Sequence, residues 1–101
     1  MQGSQRIMKM AYACARHILL KSKLEAESIK KKLEKGADFA QLAKKFSQCP
    51  SAKKGGDLGE FKQGVMLKAF DQVVFKKSLL TVHGPVKTKF GFHLIETIYR
   101  G

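Results

Sequence analysis

Residues 47–66 read SQCPSAKKGGDLGEFKQGVM, and this stretch divides the chain. Pro50 and the glycines at 55, 56, 59 and 64 forbid a continuous helix, although DLGEF at 57–61 suits a short extended segment. Apolar residues are sparse until Val65 and Met66. The stretch is either a solvated connection or the rim of a site, and the segments on either side of it decide between the two.

On its N-terminal side, ACARHILLK (residues 13–21) is short, apolar and closed by a lysine, as a buried strand would be. Alternation puts Ala15, His17 and Leu19 on one face and Arg16, Ile18 and Leu20 on the other, so His17 projects among apolar side chains. In KLEAESIKKKLEKG (residues 23–36) the apolar positions Ala26, Ile29 and Leu33 recur at helical spacing among charges. This predicts an amphipathic helix with Gly36 at its C-terminal cap. Asp38 then opens a second helix as N-cap, with Gln41 as its capping-box partner and Phe39, Leu42, Ala43 and Phe46 as the buried stripe.

On the C-terminal side, MLKAFDQVVF (residues 66–75) returns to helical spacing at Ala69, Phe70, Val73 and Val74. VHGPVKTKFGFHLIETIYR (residues 82–100) reads as two strands joined through residues 89–91, with His93, Ile95, Thr97 and Tyr99 sharing a face of the last. Strand, helix, helix, loop, helix, strand, strand is an α+β order rather than a repeated βαβ unit.

A chain of 101 residues with 44% hydrophobic and 28% charged residues is sized and composed for one folded domain. Residues 11–101 are assigned to it, and residues 1–10 are set aside as a flexible leader or a segment added for expression. Twenty Lys and Arg against eight Asp and Glu leave a net charge of +12. The lysines are scattered, which predicts weak, non-specific attraction to polyanions rather than a dedicated nucleic-acid site. Cys14 and Cys49 lack paired-ligand spacing, so neither a zinc ribbon nor a redox pair is indicated. With no apolar run long enough to span a bilayer and no convincing signal-peptide core, the expectation is a cytoplasmic, monomeric protein without membrane contact.

The segments ARHILLK, GADFAQLAKKFSQCPSAKKGGDLGEF, MLKAFDQVVF and GPVKTKFGFHLIE together resemble the parvulin family of peptidyl-prolyl cis/trans isomerases. The likeness runs from Ala13 to Arg100, looks closest to the small single-domain bacterial parvulins, and is most specific in SxCPSxxxGGDLGEF, Ser47 to Phe61. It implies a four-stranded antiparallel sheet surrounded by helices, with the first and last strands as central neighbours and His17 beside His93. It also implies that His17, Cys49, Thr88 and His93 are the catalytic residues, and that Leu58, Met66, Phe70 and Phe90 receive the substrate proline. The implied substrates are proline-containing peptides and unfolded or nascent proteins, and neither cofactor nor metal is implied. Residue type alone makes both histidines, Met66 and Phe70 core residues; the resemblance is what singles them out.

Rotation about an amide breaks no bond, so the expected chemistry is an apolar slot that favours the twisted amide, with Cys49 shaping the field near the carbonyl oxygen rather than attacking it. The histidines are expected to form a hydrogen-bonded pair that holds tautomers and positions Cys49, with Thr88 bonded to one ring. Phosphate-dependent relatives carry arginines after the first strand; here LLKSKLEAES has two lysines and none, which predicts little phosphate requirement. A second departure is Lys68, where many relatives have proline, which leaves that helix start less rigid. The rival functions are a cysteine hydrolase built on Cys49, a zinc site using Cys49, His17 and His93, and a non-catalytic peptide-binding chaperone or basic nucleic-acid-associated protein on the same scaffold.

Overall fold

The computed structural model describes residues 11–101; the leader assigned to 1–10 lies outside them. Strand β1 (Tyr12–Leu20) is followed by helices α1 (Lys23–Glu34) and α2 (Phe39–Phe46), a 3-10 turn (Pro50–Lys54) and strand β2 (Asp57–Lys62). Helix α3 (Lys68–Lys76) and strands β3 (Val82–Thr88) and β4 (Gly91–Arg100) complete the chain. The sheet order is β2-β1-β4-β3 with every pair antiparallel, so the first and last strands are the central neighbours. No helix among the described residues is long and apolar enough to cross a membrane.

The helices start where the caps dictate. Ser22 Oγ accepts the Glu25 N–H at 3.1 Å, and Asp38 Oδ2 accepts the Gln41 N–H at 2.9 Å, each satisfying one free donor of a first turn. The connection between β1 and α1 is two residues, Lys21 and Ser22. Lys68 is the first residue of α3, and Leu67 before it has φ −58° and ψ 148°, the conformation that precedes a proline. Leu67 thus holds the extended conformation that a proline at position 68 would require.

The sheet separates two cores. On one face α3 sets Phe70, Val73 and Val74 against Ala13, Ala15, Phe61 and Ile95. On the other, Ala26 and Ile29 of α1 and Phe39 and Ala43 of α2 cover Ile18, Leu20 and Leu94. This is the division that alternation along β1 predicts. On α3, Ala69 faces solvent while Asp71 is buried, against the apolar pattern.

Two bulges redirect side chains. Between Cys14↔Tyr99 and Ala15↔Thr97 the register steps by one residue, leaving Ile98 extra on β4. Simple alternation puts Tyr99 on the face of His93, Ile95 and Thr97; the bulge instead turns it to the face of Cys14 and Glu60, where its hydroxyl donates to Glu60 Oε2 at 2.9 Å. Along β2, Leu58 and Gly59 together oppose Ala15, between the pairs Cys14↔Glu60 and Arg16↔Asp57.

The stretch at 47–66 folds back against β1 through its backbone. The Gln48 N–H donates to Leu19 O at 2.8 Å and the His17 N–H to Gly56 O at 3.0 Å. Gly56 has φ +88°, and a Cβ there would collide with the His17 carbonyl oxygen and press on Ala43 and Phe39 at 3.3 Å. A positive φ and a close approach both demand glycine. Gly56→Ala is expected to lower unfolding stability by about 1–3 kcal/mol, read as a shift of the urea midpoint; an unchanged midpoint would contradict this packing.

Candidate active site

On the α3 face, His17 of β1 and His93 of β4 are diagonal neighbours across the two central strands, since Leu19 pairs with His93 and His17 with Ile95. Their Nδ1 atoms lie 3.0 Å apart. Of two neutral rings in this arrangement, one Nδ1 must donate and the other accept. His93 Nε2 shares a further short hydrogen bond with Thr88 Oγ1 at 2.6 Å, and that hydroxyl also accepts the Phe90 N–H at 3.2 Å. The chain of bonds ends at His17 Nε2, which is buried and has no partner among the described residues. Polar atoms left unpaired in an interior are few and call for an explanation in function or strain.

Burial governs the charge of this pair. His17 and His93 are 5% and 4% exposed. Desolvation, and then the neighbouring His93, push the His17 pKa down to about 4, and desolvation lowers that of His93. Both rings are therefore neutral at physiological pH. The Phe70 ring stands edge-on over them, its centroid 5.4 Å from each, at 78° and 85° to the two planes.

Above this floor opens a cavity of about 380 Å³. Leu58, Met66, Phe70 and Phe90 all line it, with His17, His93 and Cys49. The bulge in β2 gives Leu58 its place; Met66 comes from the β2–α3 loop, and Phe90 stands on the β3–β4 turn, 63% exposed. Every residue expected at the site is thus brought to one place, except that Thr88 reaches it only through His93.

The expected link from the histidines to Cys49 is not made. Neither ring is hydrogen-bonded to the thiol; the Cys49 N–H instead donates to Ser47 Oγ at 3.4 Å, and the Leu19 N–H donates to the same oxygen at 3.0 Å. Ser47 therefore fastens the cysteine segment to the end of β1, where β2 no longer supplies a partner. Residue type alone gives Ser47 no role, although its position after α2 suits a hydroxyl that bonds neighbouring backbone. Leu19, Gln48, Pro50 and Leu67 complete the lining; of these, Leu19 was signalled by its alternation with His17. Among the described residues no three His, Cys, Asp or Glu groups are grouped to hold a metal ion.

The model of the PPIC-type PPIase (rotamase) domain matches residues 17–98, from the first histidine of the pair to beyond the second. The foldase protein PrsA of Geobacillus sp. (strain WCH70) is 52% identical over 83 residues, covering 81% of this chain and 30% of that protein. The crystal structure of the peptidylprolyl isomerase PrsA from Bacillus anthracis superposes with a TM-score of 0.88 at 35% identity, over 100% of this chain and 47% of that one. The solution structure of NmPin, the parvulin of Nitrosopumilus maritimus, gives 0.80 at 38% identity over 90% of this chain and 99% of that one. The chain thus spans under a third of the Geobacillus foldase and matches nearly all of the NmPin chain. Paired histidines beneath an apolar cavity and a family match that spans both of them lead to one conclusion: the chain belongs to the PPIC-type peptidyl-prolyl isomerase, or parvulin, family.

Proposed function

We propose that this domain accelerates rotation about peptide bonds that precede proline in unfolded or partly folded chains, without requiring a phosphate. The observation that carries the reading is the apolar cavity formed by Leu58, Met66, Phe70 and Phe90 over the neutral His17–His93 pair. An amide resists rotation by about 18–20 kcal/mol because resonance holds it planar and polar. Twisting removes that charge separation, so a site that excludes water favours the twisted form over the planar one. Each 1.4 kcal/mol of such preference is worth about a factor of ten in rate.

In this reading the apolar residues hold the prolyl ring while the preceding carbonyl turns past Cys49. The histidines form a rigid, uncharged floor, and Thr88 with Phe90 N–H fixes one end of it. Rotation needs no adduct, so Cys49 acts by position and polarity rather than as a nucleophile. Relatives named foldases support unfolded proteins as substrates.

The test is an NMR exchange or protease-coupled assay on Xaa-Pro peptides. Met66→Ala and Phe70→Ala are each expected to lower kcat/KM by roughly tenfold to a hundredfold, the loss of about 1.5–3 kcal/mol of apolar contact. Cys49→Ser is expected to stay within about tenfold of the unaltered chain; complete loss of turnover with peptide binding preserved would make the thiol a nucleophile. Peptides with Glu, Leu, Ala or phosphoserine before proline are expected to turn over within about tenfold of each other, and a large advantage for the phosphopeptide would overturn the phosphate-independent reading.

The floor also makes stability depend on pH. An unfolded histidine takes up a proton near pH 6.5, whereas His17 in the fold resists until about pH 4. Between those values the unfolded chain binds more protons, so stability falls as pH is lowered through this window and is fully retained above it. The contribution lost by pH 4 is about 3 kcal/mol. Urea midpoints measured from pH 7.5 to 4 are expected to fall accordingly, and His17→Asn is expected to flatten the curve; equal slopes for both chains would exclude His17 as the source.

A further inference from the structure

The β2–α3 loop, residues 63–67, carries Met66 and Leu67 into the wall of the cavity, and at its far end Leu67 O accepts the Asp71 N–H at 2.9 Å, which starts α3. The Gln63 N–H donates to Ala11 O at 3.0 Å and the Val65 N–H to Lys62 O at 3.2 Å, both on the β2 side of Met66. Across the loop, the Gly64 N–H donates to Asp71 Oδ2 at 2.9 Å. Gly64 has φ +96°, and a Cβ there would meet nothing within 4 Å. The residue is glycine for its turn, which aims this N–H, and not for lack of room.

Asp71 is an unusual choice for its place. It follows Phe70 on the first turn of α3, is 9% exposed, and its Oδ1 is buried without a partner among the described residues. Carboxylates are seldom buried unless paired. The compensation here is one charge-assisted bond from Gly64 and the positive end of the helix. An apolar residue at this position would pack without those demands but would leave the Gly64 N–H without its side-chain tie to α3.

We propose that Asp71 is a positioning residue that fixes the width of the proline pocket: its carboxylate ties the loop bearing Met66 to the helix bearing Phe70, so wall and floor keep their separation. The inference rests on the isomerase reading of the cavity. Met66 touches the prolyl ring in the planar and twisted amide alike, so loosening its loop removes uniform binding, which raises KM and spares kcat. The tie and the substrate also favour the same closed loop, so peptide binding must protect the Gly64 amide from opening.

The experiment compares the unaltered chain, Asp71→Ala and Asp71→Asn on one Xaa-Pro peptide, and follows hydrogen exchange at Gly64 with and without saturating peptide. Asp71→Ala is expected to raise KM at least fivefold with kcat within twofold, and Asp71→Asn, which keeps an acceptor oxygen, to return KM to within twofold of the unaltered value. Peptide is expected to slow Gly64 exchange several-fold in the unaltered chain, a readout that stands even if Asp71→Ala does not fold. KM unchanged in Asp71→Ala, a loss confined to kcat, or Gly64 exchange indifferent to peptide would each overturn the proposal. An unaltered chain that turns over no Xaa-Pro peptide would remove the isomerase reading itself.

Discussion

One proton shared between two buried imidazoles governs this fold. The His17–His93 contact joins the two central strands on the face that carries the cavity, and its short Nδ1 separation is compatible with only one donor. Charging both rings would place like charges in contact in a desolvated interior. Neutrality is therefore built into the sheet, and it suits the apolar pocket in which the Phe70 ring stands edge-on against both imidazoles. The surface is strongly cationic as a whole, yet this cavity is lined by aliphatic and aromatic groups and uncharged imidazoles.

The main outline was legible because it rests on local rules. Alternation along ACARHILLK places His17 and Leu19 toward the cavity and Ile18 and Leu20 toward the opposite core, and the spacing of Ala26, Ile29 and Leu33 places α1. Asp38 caps α2 as its residue type predicts. The site was legible for another reason: the long pattern from Ser47 to Phe61 resembles a family in which those positions converge, and no periodicity within the chain brings Leu58, Met66, Phe70 and Phe90 together.

Most of what escaped the sequence depended on non-local pairing. Tyr99 changes face because β4 holds one residue more than β1 at a bulge, and a bulge is decided by the partner strand. The turn at Pro50–Lys54 is helical despite the glycines after it, since those glycines begin only where the turn ends. Ser47 and Asp71 each act on backbone N–H groups that other segments present. Polar residues of this kind look like surface until the orphaned donor they satisfy comes into view.

The two-sided interior has a consequence for how this architecture can vary. Phe70, Val73 and Ala15 share their contacts with the cavity-lining Leu58 and Met66, whereas Ile18, Ile29, Phe39 and Leu94 belong to a separate cluster beyond the sheet. Substitutions at Leu58, Met66, Phe70 or Val73 repack first against that half. The opposite half is then free to serve as ballast, holding the molecule together while selectivity drifts. A scaffold partitioned in this way can diversify what it recognises without renegotiating how it folds.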